Sequence, residues 1–246
     1  MDRMVYLSMN GAKQLMQAQT VNSNNLANVT TTGFRADLQN SQSVVVDGPS
    51  YPSRVYSSTS GFSVNLSPGP VMSTGRDLDV VVRGEGYIAV TAQDGSEGYT
   101  RAGNLQVTQS GQLLTGAGEA VIGNGGPIIV PPFEKLEIGN DGTVSIRPLG
   151  QDASTLAIID RIKLVNIPDK QIVKGVDGLL RHASEPESQA DARVQLDVGY
   201  LEGSNVSAIG SMVEMISLSR QYEMQVKMMK TADETSKAAE GLLRMS

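Results

Sequence analysis

Apolar residues recur at helical spacing at the two ends of the chain, with no helix-length repeat between them. The fold must therefore join terminal helices to a body of another kind. At the N-terminal end Val5, Met9, Ala12, Leu15 and Met16 share one face, with polar Gln14, Gln17, Gln19 and Asn22 between them. That spacing predicts an amphipathic helix of about 20 residues. Asn22, Asn24, Asn25 and Asn28 favour turns over helix interior, and Gly33 supplies a stop, so the helix should end between Asn24 and Asn28. At the other end Ile209, Met212, Val213, Ile216, Val226 and Met229 return to one face over many turns, with Ser207 as the N-cap. From Ser207 to Leu243 such a helix would be roughly 55 Å long. A competing start at Ser211 offers Glu214 for a capping box, while Gly210 weakens the first turn.

Residues 36–76 hold ten Ser, four Pro and four Gly, with Val44-Val45-Val46 as the main strand-forming run, and read as an extended, turn-rich connector. From Leu78 the signals become short strands: 78–82, 87–90, 105–107, 121–122, 128–130, 135–138, 143–146, 157–159 and 162–165. Asp94-Gly95 and Asp141-Gly142 carry hairpin-turn chemistry, and Leu136, Ile138, Val144 and Ile146 alternate with polar neighbours at period two. Close-spaced strands without a crossover helix predict an antiparallel sandwich or barrel that ends near Tyr200. The expected class is α+β: long N- and C-terminal helices pairing as a coiled-coil-like unit, a central antiparallel all-β domain and an extended connector. Its segments are 1–35, 36–76, 77–200 and 201–246.

The chemistry available is narrow. The chain has no Cys and one His, His182, which removes thiolate sites, disulfides and a paired-imidazole zinc site. A net charge of −6 disfavours phosphate backbones, so nucleic acid is not an expected partner. No stretch reaches the ~18 apolar residues of a membrane span, and the first 30 residues lack the apolar core of a cleavable signal peptide. Ordinary secretion logic then gives a cytoplasmic protein without membrane insertion. Gly84-Glu85-Gly86, Gly116-Ala117-Gly118 and Gly123-Asn124-Gly125-Gly126 fit no phosphate-loop pattern and read as hairpin turns. Asp77 and Asp79 read as solvated strand-edge charges, and His182 as a loop histidine. Neither a catalytic residue nor a cofactor or metal site is expected.

The terminal helices are the unusual feature, each with an apolar seam and little local chain to bury it. Two readings stay open: the helices pack within the chain, or they pair with neighbouring subunits. Met212, Met215, Met224, Met228 and Met229 concentrate adaptable thioethers in the last helix, which suits an interface that must fit several slightly different partners.

Particular strings carry a resemblance. Asn24-Asn25-Leu26-Ala27-Asn28-Val29-Thr30-Thr31-Thr32-Gly33-Phe34 resembles the N-terminal signature of bacterial flagellar rod and hook proteins. Leu201-Glu202-Gly203-Ser204-Asn205-Val206, Glu214-Met215-Ile216, Arg220-Gln221-Tyr222-Glu223 and Lys227 are similar to the second signature of that family, and Leu78–Val90 and Gly98–Gly103 to its central β domain. Within the family, the opening Met1–Tyr6 and the length look most like the proximal rod. Ser207 stands where the family often has Asn or Asp, and Gly210-Ser211 where acidic residues are usual. The resemblance implies a structural subunit whose terminal helices assemble into an axial shaft for torque. The implied partners are copies of itself, other rod proteins and the flagellar type III export apparatus. It also moves the expected location to the periplasmic basal body, reached without a cleaved signal peptide. The implied subunit interface comprises Val5, Met9, Ala12, Leu15, Met16, Asn24, Asn25, Leu26, Ala27, Asn28, Gly33, Phe34, Ile209, Met212, Val213, Ile216, Tyr222, Val226 and Met229. A soluble β-domain binding module with an internal helical hairpin, and the distal rod protein, are the alternatives.

Overall fold

The computed structural model describes residues 3–45, 55–148, 150 and 156–244. The chain divides into two compact units, one made of residues 1–29, 36–65 and 206–246, the other of 30–35 and 66–205.

The first unit holds helix α1 (Arg3–Ala27), strands β1 (Asp37–Val45) and β2 (Val55–Val64), and helix α2 (Ala208–Arg244). α1 stops inside the Asn-rich run, where Asn28 bonds back to the carbonyls of Asn24 and Asn25. Ser207 caps α2: its hydroxyl accepts the Gly210 N–H at 3.2 Å, and Ser211 N–H bonds the Ser207 carbonyl, so the helix starts there and not at Ser211. The two helices pack antiparallel, with Asn22 beside Ser211 and Gly11 beside Gln225. β1 and β2 pair antiparallel from Asp37↔Val64 to Val45↔Val55, with a bulge that skips Ser60. The expected connector is thus extended, but as a paired hairpin; Val46 of its apolar run lies outside the described residues.

In the second unit every strand pairing among the described residues is antiparallel. A nine-stranded sheet runs, in spatial order, through 172–174, 180–182, 97–100, 87–91, 120–123, 113–115 and 105–107, with 126–127 and 164–165 alongside. Strands 133–138, 143–148 and 157–161 form a second sheet. Val80, Ile88, Val90, Leu105, Leu113, Val121, Leu136, Val144, Ile146, Ile162 and Leu196 close one aliphatic core between them. Each fully buried side chain of this kind contributes about 1.5–3 kcal/mol. The Asp94-Gly95 and Asp141-Gly142 turns form as expected, with Gly95 and Gly142 at φ 82° and 83°.

Three expectations are corrected here. Asp77 is exposed but Asp79 is buried, with Arg76 Nη1 3.5 Å from its carboxylate and its carbonyl accepting the Gly199 N–H. The expected strand at 128–130 is displaced to Gly126–Pro127, leaving Ile129 one isolated bridge to Gln112. Beyond Val165 the spacing predicts no strands, yet 172–174, 180–182, 195–198 and 200–202 are all paired, the last two against 80–83 and 71–73. These are too short for periodicity to register.

Candidate assembly surface

α2 carries two stripes. The inner one, Ser211, Met215, Leu218, Tyr222, Gln225, Met229 and Ala232, advances by alternating steps of four and three residues and is buried or half-buried. On α1, Ser8, Ala12 and Asn22 are buried and Gly11 and Leu15 half-buried, so apart from Leu15 the inward residues are small or amide side chains. Asn22 donates to the Ser211 carbonyl at 2.7 Å, and a Cβ on Gly11 would press the Gln225 amide at 3.1 Å. Small residues let the backbones approach: Ser211 is buried here, and an acidic side chain at that position would be buried with it.

The outer stripe of α2 is apolar and exposed: Ile209, Met212, Val213, Ile216, Met224 and Met228, with Ile209 at 78%. On α1, Met4, Tyr6, Met9 and Met16 are exposed likewise. Large contiguous apolar patches are uncommon on the surface of a soluble monomer.

A third face of α1 meets the hairpin through amides. Asn25 closes a two-bond ring with the backbone of Asp37, donating to its carbonyl and accepting its N–H, both at 2.8 Å. Gln14 accepts from Gln39 at 3.1 Å and from Thr59, and Asn10 donates to the Ser57 carbonyl at 2.9 Å. The side chain of Asn25 thus does what a neighbouring strand would do for the start of β1.

The nineteen expected interface residues therefore separate. Met9, Met16, Ile209, Met212, Val213 and Ile216 are exposed; Ala12 is buried; Val5, Leu15, Tyr222, Val226 and Met229 are half-buried. In the turn, Asn24 and Ala27 are exposed, Leu26 and Asn28 half-buried, and Asn25 buried. Gly33 has φ 69°, and Phe34 sits under Lys174, whose ammonium lies 4.1 Å from the ring centroid.

Sequence reading missed the centre of the second unit's strand-crossing region. The Glu202 carboxylate is buried between Arg35 at 2.6 Å and Arg101 at 3.1 Å, and also accepts the Gly69 N–H at 2.8 Å. Its backbone carbonyl accepts the Gly33 N–H at 2.8 Å. Asn205 closes the same knot, bonding the Phe34 and Ser67 carbonyls. One glutamate thus ties segments 30–35, 66–70 and 202–205, which are where the chain enters and leaves this unit. Burial pulls the Arg101 guanidinium below its ordinary value against the attraction of Glu202, and Arg101 also bonds the carbonyls of Val82 and Gly84. The only available signal was Glu202 inside a motif, with no hint of its two arginines.

His182 is structural. Its Nδ1 accepts the N–H groups of Ser184 and Glu185 at 3.2 and 3.0 Å, which leaves Nε2 to donate to Gln171 at 3.0 Å.

Comparison with known proteins fits this division. Residues 6–35 match the family model "Flagella basal body rod protein", 81–146 "Flagellar hook protein FlgE/F/G D1 domain", and 198–242 "Flagellar basal body rod FlgEFG protein C-terminal". The "Flagellar basal-body rod protein FlgF" of Escherichia coli K12 is 41% identical over the whole of both chains. The protein of that name in Caulobacter vibrioides is 33% identical over 97% of each. The Bacillus subtilis "Flagellar basal-body rod protein FlgG" is 30% identical over 94% of this chain and 96% of its own. These relatives are structural proteins and not enzymes, and the chain belongs to the flagellar basal-body rod protein family.

Proposed function

We propose that the chain is a subunit of the proximal rod, in which α1 and α2 pair as an antiparallel coiled-coil-like unit and turn their outer stripe to neighbouring subunits. The four-three spacing of the inner stripe supports the pairing. The exposed row Ile209, Met212, Val213, Ile216, Met224 and Met228 carries the reading of the outer one. Neighbours are copies of this chain and other rod proteins, in heterologous contacts that extend helically because the rotation does not close a ring. The assembly transmits torque. No helix among the described residues is long and apolar enough to cross a membrane. The subunit reaches the periplasmic basal body uncleaved, through the flagellar type III export apparatus.

The absence of Cys makes the test clean, because a single introduced thiol is the only one to label. Ile216→Cys should react rapidly with a maleimide in the purified protein and be protected in isolated basal bodies. Equal labelling of both would show that the stripe faces solvent in the rod, and the reading would fail.

A further inference from the structure

The sulfur of this chain is unevenly placed. Of 11 Met, all but Met72 fall in the segments of the helical unit, and none belongs to the β unit's core. Met4, Met9, Met16, Met212, Met224 and Met228 are each more than one-third exposed, and on α2 they stand among Ile209, Val213 and Ile216. Met215 and Met229 lie half-buried on the inner stripe.

We infer that the exposed methionine stripe is an oxidation-sensitive site that controls whether a subunit can be incorporated; the inference rests on the stripe being the subunit contact. The oxidant is a peroxide. An oxygen atom passes to the methionine sulfur: the O–O bond breaks, an S–O bond forms, the thioether loses two electrons and the peroxide leaves as water or alcohol. Reduction by a thiol-dependent methionine sulfoxide reductase breaks the S–O bond, consumes two electrons and two protons, and releases water.

The physical effect is selective. A sulfoxide is a strong acceptor with no proton of its own, harmless in water but unpaired when an apolar neighbour covers it. In the free subunit the modified side chains stay solvated, so the fold is untouched. The aliphatic β core offers a peroxide no sulfur. With no thiol to scavenge or crosslink, the response of the chain to peroxide is that of its methionines. Once assembled, covered sulfurs are shielded.

The test uses full-length chains carrying Met72→Leu throughout, so that the exposed methionine of the β unit is silent. One variant changes Met4, Met9, Met16, Met212, Met224 and Met228 to Leu; a second changes the same six to Gln, which imitates the polarity of the sulfoxide. Cells lacking the native copy assemble rods with or without hydrogen peroxide, and the chain is quantified in purified basal bodies. Incorporation of the parent should fall about tenfold under peroxide while the Leu variant holds, because only the parent must bury sulfoxides. The Gln variant should be poorly incorporated without peroxide, its isolated thermal midpoint unchanged. Equal losses in parent and Leu variant would overturn the oxidation inference alone. Normal incorporation of the Gln variant would overturn the stripe as a subunit contact, and the inference with it; maleimide protection at Ile216→Cys reports separately on that reading.

Discussion

Arg35 and Glu202, 167 residues apart in sequence, meet at 2.6 Å with both side chains almost wholly buried. Arg101 shares the same carboxylate, so one negative charge balances two guanidiniums out of water. Removing that charge strands both. Glu202→Gln keeps the shape and should destabilise the β unit by about 3–5 kcal/mol in urea unfolding of the full chain. Arg83→Ala, whose ion pair with Asp197 is largely solvated, should leave the unfolding midpoint close to that of the parent. If the two variants unfold alike, the buried triad does not hold the crossing segments.

Gly33 separates two effects that a glycine can have. At φ 69° it occupies a region costly for other residues, and a Cβ there would lie 2.3 Å from the backbone carbon of Arg101. Gly75 has nearly the same φ, 68°, with nothing within 4 Å of a Cβ. Gly75→Ala should therefore cost about 1–2 kcal/mol, the left-handed penalty alone. Gly33→Ala should cost well beyond that, because the obstacle is backbone that cannot rotate away. Thermal midpoints of the two variants decide it, and equal midpoints would remove the clash from the account.

What the sequence disclosed and withheld follows from what each residue packs against. Ile209 to Met229 announced a helix because large apolar side chains at helical spacing are a strong signal, and Ser207 and Asp141-Gly142 carry their own local chemistry. The inner stripe was hidden because Ser8, Gly11, Ala12, Asn22 and Ser211 make close approach with small or amide groups, which no count of apolar residues detects. Ala12, Leu15, Tyr222, Val226 and Met229 were consequently merged with Met9 and Ile216, which face elsewhere. β1 and β2 were unreadable as strands for a related reason: Gln39 and Thr59 are satisfied by Gln14 of α1, not by an apolar core. The Glu202 knot joins residues that no local window contains.

Asn25 stands in for a strand, so its loss should be felt in β1. Asn25→Ala removes both bonds to the Asp37 backbone and should cost about 1–2 kcal/mol. The specific readout is amide exchange at Asp37, which should accelerate. Asn25→Asp keeps an acceptor for that N–H but turns a carboxylate toward the Asp37 carbonyl, and should protect the amide only in part. Unchanged exchange in Asn25→Ala would mean that β1 is held by β2 alone.

Acid should weaken the β unit within a defined window. Arg193 bonds Asp191 and lowers its carboxyl from 3.8 to about 2, while Ser96, Thr143 and Arg181 pull Asp94, Asp141 and Asp177 down in the same direction. Each group holds its proton less tightly folded than unfolded, so the folded state gains stability wherever the unfolded carboxylate is already ionised. That gain is complete above about pH 4 and is lost as pH falls toward about 2. The thermal midpoint should be level above pH 4 and decline below it, and Asp191→Asn should lower the plateau and shrink the decline. A decline of the same depth in Asp191→Asn would exclude this aspartate as a contributor.

Ile216 and Leu218 lie two positions apart on α2 and face opposite ways, one 55% exposed and the other 9%. A carboxylate at 216 remains in water in the free chain, whereas one at 218 is forced against α1. Leu218→Asp should lower the stability of the helical unit within the purified full chain by several kcal/mol, about the cost of an unpaired buried charge. Ile216→Asp should leave it within about 0.5 kcal/mol, as exposed substitutions usually do. In cells the order of specificity reverses: Ile216→Asp should yield a stable, exported subunit that is missing from basal bodies and a non-motile strain, because a neighbour must then desolvate the carboxylate. Helix melting by circular dichroism and the chain's abundance in basal bodies are the two measurements. Loss of helix in Ile216→Asp would place that residue on the inner stripe, and full motility would show that nothing covers the outer one.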